Sequence, residues 1–319
     1  MAQRYRVGII GVGRVGATAA FALLHTGLVE ELVLIDVDAA RAEGEAMDLA
    51  QATPLLTPCR VWAGSYDDVR EADIAIITAG RASATREESR LDLVGDNVRV
   101  TEAIVAQLDA VGFAGILLVA TNPVDVLTRV AQLRSPQPAT RVIGSGTVLD
   151  TARLRHLLAQ RCGVDARSVH GYVLGEHGDS EIAAWSATAI GGLSVDDFAR
   201  RQGVTLDRET ILAEVRGAAP AIIERKGATN VAIAAALARL VACIRRDERS
   251  VLMVSTLLTG QYDEHDVCLS VPCVLGAQGI ACVIELDLAR EERTGLHASA
   301  EILRETLRQV RAKSSVATT

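Results

Sequence analysis

The sequence predicts an α/β protein: a doubly wound parallel sheet followed by a mixed α+β portion. Of its 319 residues 49% are apolar and only 3% aromatic, so the core has to be aliphatic, as suits a parallel sheet under Ala-rich helices. Residues 1–145 alternate short apolar runs with amphipathic stretches in strict succession, which implies right-handed crossovers and parallel strands. After Gly146 that alternation stops, and long helical stretches and strand-like runs appear in blocks.

In order, "RVGII" reads as a strand and is followed by a helix from about Arg14 to His25. "ELVLID" precedes the helical "ARAEGEAMDLAQA"; "CRVWA" and "DIAIITA" lead to a long helix from about Glu88 to Ala110. "GILLVAT" precedes a helix starting near Val124, and "RVIGSG" ends the series. Beyond it come a helix from about Val148 to Arg161, strand-like "SVHGYVLGE", and helices over about Asp207–Lys226 and Thr229–Arg246. Strand-like "VLMVSTLLTG", "VCLSVPCVLG" and "GIACVIEL" then precede a last helix from about Leu288 to Ala312, leaving the tail "SSVATT" as disordered. Two domains follow, residues 1–145 and 146–319, with no Pro/Gly-rich linker and therefore an extensive shared interface.

A net charge of −7 with interspersed signs argues against a nucleic-acid partner. There is no apolar span of membrane length and no leader pattern, so a soluble cytoplasmic protein is expected. Six cysteines, mostly within apolar runs, read as reduced core residues; Cys268, Cys273 and Cys282 lack the close pairs of a zinc site, and no metal is expected.

Gly11-x-Gly13-x-x-Gly16 lies between the first strand and the first helix. Glycines there allow a tight turn, close approach of backbone to a pyrophosphate, and helix–sheet packing, with the helix N-terminus facing the phosphates. Asp36 ends the second strand twenty residues after Gly16, where its carboxylate can accept from ribose hydroxyls and repel a 2′-phosphate. This combination predicts NAD as cofactor. In "VLGEHGDSE", His177 sits between glycines after a strand, suited to proton transfer near neutral pH, although alone it fits a hydrogen-bonded turn residue equally well. In "VLDTARLRHLL", Asp150 and Arg153 share a helix face. The Asp can orient an imidazole and the Arg can hold a carboxylate, or the two form a surface ion pair.

Taken together, "GVGRVGATAAFALL", "ITAG", "ESRLDLV", "TNPVDVLT", "GSGTVLDTARLR", "GYVLGEHGDSE", "KGATNVAIA" and "SVPCVLGAQGI" resemble the L-lactate dehydrogenase family of the lactate/malate dehydrogenase superfamily across nearly the whole chain. The resemblance implies an NAD-binding Rossmann domain followed by a substrate-binding catalytic domain, and an NAD-dependent L-2-hydroxy acid dehydrogenase. It implies that His177 exchanges the proton, Asp150 orients it, Arg153 grips the substrate carboxylate, and Arg90, delivered by a mobile lid, polarises the carbonyl. Asn122 then helps place that carbonyl, and Thr229 and Ile233 wall the pocket. Cofactor contacts are implied for Gly11, Gly13, Val15, Gly16, Asp36, Thr78, Gly80, Asn97, Thr121 and Asn122. A homotetramer is implied, and Arg155 and His170 match positions that bind fructose 1,6-bisphosphate in allosteric bacterial members. "GEHGDSE" resembles the lactate branch more than the malate branch.

The lid segment "RASATREE" departs from the family pattern: it is a residue longer than expected and lacks the usual Pro and Gly. The substrate-discriminating position falls on Ser83, or on Ala84 if the extra residue lies earlier. Three readings stay open: space for 2-oxo acids bulkier than pyruvate, a dicarboxylate partner in Arg81 or Arg86 giving malate dehydrogenase activity, or a lid that closes poorly. A catalytically silent NAD-binding protein is the remote alternative, and the four intact catalytic residue types stand against it.

Overall fold

The computed structural model describes residues 4–81 and 90–316, and the side chains of residues 4–81 and 92–312. The first half builds β1 (Arg6–Ile10), α1 (Arg14–Thr26), β2 (Glu31–Ile35), α2 (Ala39–Ala52), β3 (Arg60–Ala63) and α3 (Tyr66–Val69). It continues with β4 (Ile74–Ile77), α4 (Arg90–Ala110), β5 (Ile116–Val119), α5 (Val124–Arg134) and β6 (Val142–Gly144). The second half begins with α6 (Val148–Cys162), β7 (Val169–His170), β8 (Val173–Leu174), β9 (Ile182–Ala183), β10 (Ala189–Ile190) and β11 (Leu193–Ser194). Three helices, α7 (Val195–Arg201), α8 (Arg208–Lys226) and α9 (Val231–Arg245), lead to β12 (Ser250–Thr259), β13 (His265–Gly276), β14 (Gly279–Val283) and α10 (Arg290–Val316).

The expected parallel sheet is present, with β1 flanked by β2 and β4 in register. Among the described residues the strand order is β14-β13-β12-β6-β5-β4-β1-β2-β3. The antiparallel strands of the second half therefore prolong the first sheet instead of forming their own. They join it where Ser255 pairs with Gly144, a position at which a Cβ on Gly144 would stand 2.8 Å from that of Ser255. The core follows the aliphatic composition: Ile9, Leu34, Ile76, Leu118 and Ile143 are fully buried at the centre of the sheet.

Three sequence expectations need correction. "SVHGYVLGE" is not one strand; β7 and β8 are separated at Gly171 and belong to different small sheets. The final helix runs on through Val316, so part of the tail expected to be disordered is helical. Cys162, Cys243, Cys268 and Cys273 are buried thiols, but Cys59 is half-buried and Cys282 is exposed on the outward face of the last, edge strand. The helix expected from Glu88 begins, among the described residues, at Arg90.

The β1–α1 turn gives each glycine a separate task. Gly11 has φ +98°, and a Cβ there would meet the Ala79 amide nitrogen at 2.3 Å. At Gly16 a Cβ would lie 2.0 Å from the Gly11 carbonyl oxygen, so α1 can cross β1 only without one. A Cβ on Gly13 has no protein atom within 4 Å. We expect Gly11→Ala and Gly16→Ala to lower Tm by several degrees, through strain and displacement costing ~1–3 kcal/mol, whereas Gly13→Ala should leave Tm in place. Thermal unfolding of the three variants checks this; equal losses would show that the turn is wholly structural.

Candidate active site

The turn opens onto a cleft of about 710 Å³ lined by Gly11, Gly13, Asp36, Val37, Thr78 and Gly80 among others. It lies where strand order reverses between β1 and β4, at the carboxyl ends of the strands. Asp36, which lines the cleft, is fixed there: Oδ2 accepts from the Val12 amide at 2.8 Å and Oδ1 from the Asp38 amide at 3.0 Å. The Thr78 hydroxyl donates to the Gly11 carbonyl at 2.6 Å, and the Thr121 hydroxyl to the Ala79 carbonyl at 2.7 Å. Val15 is half-buried in the first turn of α1. An open glycine, a helix N-terminus and an oriented carboxylate fit the pyrophosphate and ribose of a dinucleotide.

Asn97, buried on α4, ties the ends of β4 and β5 together. Its Oδ1 accepts from the Arg81 amide at 2.7 Å, and its Nδ2 donates to the Arg81 carbonyl at 3.1 Å and to the Asn122 carbonyl at 3.0 Å. The Gly80 backbone passes so close that a Cβ would sit 2.3 Å from Thr121 Cγ2. Thr78 and Gly80 thus line the cleft, and Asn97, Thr121 and Asn122 are tied to the backbone behind them.

The second set of residues is carried by a loop between β8 and β9. Gly175 exchanges two backbone hydrogen bonds with Ser270, at 2.9 and 3.1 Å. The Glu176 amide donates to Ser299 Oγ on α10 at 2.7 Å, and the His177 amide donates to Asp125 Oδ2 on α5 at 2.8 Å. Ser270 Oγ donates to Asp125 Oδ1 at 3.1 Å, so both oxygens of this buried carboxylate are engaged. Burial nevertheless pushes Asp125 up to about 6 against those hydrogen bonds. Asp125 lies within a quoted motif, but no local signal marks it; it reaches His177 across 52 positions of sequence.

His177 Nδ1 stands 2.5 Å from Asp150 Oδ2, and Arg153 Nη1 donates to Asp150 Oδ1 at 2.7 Å. Asp150 is only 2% exposed and Arg153 and His177 are half-buried, so the three form one cluster around a buried carboxylate and not a surface ion pair. Burial disfavours the charged imidazole, but Asp150, helped by Asp125 and Glu181, outweighs it and raises His177 to about 9. Because Nδ1 faces Asp150, Nε2 is the atom left for a reactant. The rest of the Arg153 fork has no partner among the described residues, which leaves it able to take a second carboxylate.

Asp150, His177 and Glu181 offer ligand atoms within 4.8 Å of one another. A shared zinc ion would hold two such atoms roughly 3 Å apart, its bonds being ~2 Å each in tetrahedral array. The Nδ1–Oδ2 separation of 2.5 Å is that of a hydrogen bond, and Arg153 holds the other oxygen, so the set fits proton sharing better than metal binding.

The remaining expected residues are placed as follows. Thr229 lies in the α8–α9 link, which Asn230 Nδ2 fastens to Thr18 Oγ1 of α1 at 2.9 Å, and half-buried Ile233 packs on the core from the start of α9. Arg155 Nε donates to the Gly171 carbonyl at 3.0 Å beside exposed His170. Arg90 opens α4, with its side chain outside the description, and Ser83, Ala84 and Arg86 lie outside the described residues. Arg81 is exposed, with Nη2 2.7 Å from Asp96 Oδ2.

Comparison with known proteins agrees with this geometry. Residues 5–144 match the lactate/malate dehydrogenase NAD binding domain, and residues 147–314 the alpha/beta C-terminal domain of the same family. The chain is 46% identical to the L-lactate dehydrogenase of Thermoanaerobacter pseudethanolicus, over 96% of its own length and 99% of the relative's. With the L-lactate dehydrogenase of Priestia megaterium it shares 46% identity, over 94% of this chain and 95% of that one. Among solved structures, the minor L-lactate dehydrogenase from Enterococcus mundtii in its ligands-bound form superposes with a TM-score of 0.93 at 41% identity, covering 96% of this chain and 98% of that one. The chain belongs to the lactate/malate dehydrogenase family.

Proposed function

We propose that the protein is an NAD-dependent L-lactate dehydrogenase, reducing pyruvate with NADH to L-lactate. The observation that carries this reading is the buried Asp150 carboxylate clamping His177 with one oxygen and Arg153 with the other. An imidazolium and a guanidinium held by one anion present a proton and a carboxylate grip at fixed separation, which is what a 2-oxo acid requires. Two domains, residues 1–145 and 146–319, divide the cofactor and substrate tasks.

Pyruvate's carboxylate pairs with the open part of the Arg153 fork, and its carbonyl oxygen accepts from His177 Nε2–H. When bound in the Gly11–Gly16 cleft, NADH would supply the hydride to the carbonyl carbon. As charge builds on the oxygen, the proton moves from Nε2 to it, and Asp150 keeps Nδ1 protonated throughout, so that neutral His177 is left in the correct tautomer. Arg90 joins the carbonyl oxygen from the N-terminal turn of α4, and Asn122 places it. Thr229 and Ile233 border the methyl side with Ser83. Val15, Thr78, Gly80, Asn97 and Thr121 serve the cofactor, Asn97 by fixing the backbone around it.

Of the two candidate arginines of the malate reading, Arg81 is paired with Asp96, and it would have to give up that exposed pair to reach a second carboxylate. Side-by-side kcat/KM values for pyruvate and oxaloacetate at saturating NADH test the choice. At least a tenfold preference for pyruvate is expected, and a preference for oxaloacetate would overturn the reading. The raised His177 also sets a sign for pH: the protonated ring is needed for reduction and is lost as pH rises through about 9, so kcat/KM for pyruvate falls above that pH while lactate oxidation gains. A pyruvate profile with its alkaline limb near pH 7 would remove Asp150 from this role.

The assembly we propose is a cytoplasmic homotetramer with a sugar-phosphate effector site at Arg155 and His170. In its support, Arg155 donates to the carbonyl of Gly171, the residue that follows His170. Fructose 1,6-bisphosphate is expected to lower KM for pyruvate several-fold in the wild type and not in Arg155→Gln. Equal response of the two proteins would exclude this site.

A further inference from the structure

Glu181 closes the loop that carries His177 and is 1% exposed. Its amide donates to the Gly178 carbonyl, and its carbonyl accepts from Arg216 Nη2 on α8, so its backbone is held from both sides. Its side chain is not held in the same way: Oε1 is buried without a hydrogen-bond partner among the described residues. That carboxyl lies within 4.8 Å of both the Asp150 carboxylate and the His177 ring. A buried carboxyl with an idle oxygen is costly, and one needed merely for packing could as well be an amide or a methionine.

We propose that Glu181 is a positioning residue of the proton-transfer site, a third acid that acts on His177 through its charge without touching substrate. The proposal deepens the dehydrogenase reading and rests on His177 as the proton donor. The charged groups around Glu181 are Asp150 and Arg153 from α6, Arg216 from α8 and His177 from its own loop, while Asp125 of α5 faces His177. Burial and then Asp150 raise the Glu181 carboxyl well above the ordinary carboxylate range, against His177, Arg216 and Arg153. It therefore holds a proton in the neutral range and releases it in the alkaline range, where His177 is about to lose its own. The charge that appears on Glu181 favours the imidazolium, so His177 keeps its proton to higher pH than Asp150 and Asp125 alone would secure.

Glu181→Gln keeps the shape of the protonated side chain and removes its ability to ionise. The alkaline limb of kcat/KM for pyruvate should then move down by about one pH unit, the size of effect one charge produces at several ångströms in a partly screened interior. The ratio of variant to wild type should fall about fivefold between pH 6.5 and pH 9. Glu181→Asp, which keeps the charge, should recover most of the shift. Coincident limbs for Glu181→Gln and wild type, or a uniform loss at every pH with the limb unmoved, would overturn the proposal and leave Glu181 structural. NMR titration of the His177 ring in 15N-histidine-labelled protein gives a readout apart from turnover. In the wild type the curve should carry a second inflection from Glu181, and a single-step curve would overturn the proposal even if the Gln variant does not fold. Wild type that does not reduce pyruvate, yet shows the second inflection, would mean that the functional reading had failed and the coupling had not.

Discussion

A carboxylate that is 2% exposed cannot stay charged without partners, and Asp150 has two: an imidazole nitrogen at 2.5 Å and a guanidinium nitrogen at 2.7 Å. Each partner is in turn fixed by the bond. The imidazole turns one nitrogen inward and the other outward, and the Arg153 fork is left with one arm in use. Removing the carboxylate would do more than delete an attraction. It would release the ring's tautomer, leave Arg153 without its anchor and lower His177 toward its ordinary value. Asp125 performs the complementary task from the other side by holding the His177 amide, and thereby the height of the loop above the sheet.

These contacts depend on how the sheet is continued. β6 ends at Gly144, and Ser255 of β12 packs against that glycine, so the antiparallel hairpin of the second half grows directly from the edge of the parallel sheet. Ser270 on β13 then lies beside both Gly175 and Asp125. The loop bearing His177 is consequently bonded to α5 of the first half, to β13 and to α10. A single sheet running through both halves lets hydrogen bonds of about 3 Å register a residue from one half against the cofactor cleft of the other.

The parts of this arrangement that were legible in the sequence are those governed by local chemistry. Gly11, Gly13 and Gly16 announce the dinucleotide turn because backbone conformation and close approach are properties of the residue itself, and each shows the space it was expected to need. Asp36, the alternating strands and the helix face shared by Asp150 and Arg153 follow from spacing. What spacing does not carry is burial. Asp150 and Arg153 read equally as a surface pair until α8 and β8 pack against the helix that carries them, and Asp125 and Glu181 sit unmarked inside segments whose neighbours drew the attention. The split of "SVHGYVLGE" at Gly171 and the joining of the later antiparallel strands to the parallel sheet likewise depend on partners distant in sequence.

The two halves thus bind by opposite means. The cofactor half works largely with backbone: open space at Gly13, amides at the start of α1, and side chains such as Asn97 and Thr78 that serve to hold main chain. Such a surface suits a large ligand that is the same in every turnover and does not change its charge at the phosphates. The second half brings ionisable groups together at low exposure, where each charge alters its neighbours. Asp125, Asp150 and Glu181 surround one imidazole, with Arg153 and Arg216 keeping the cluster from excess negative charge. On the proposed function a proton would be given up and recovered there in every cycle, and a cluster whose members titrate against one another suits that task as rigid backbone suits a cofactor.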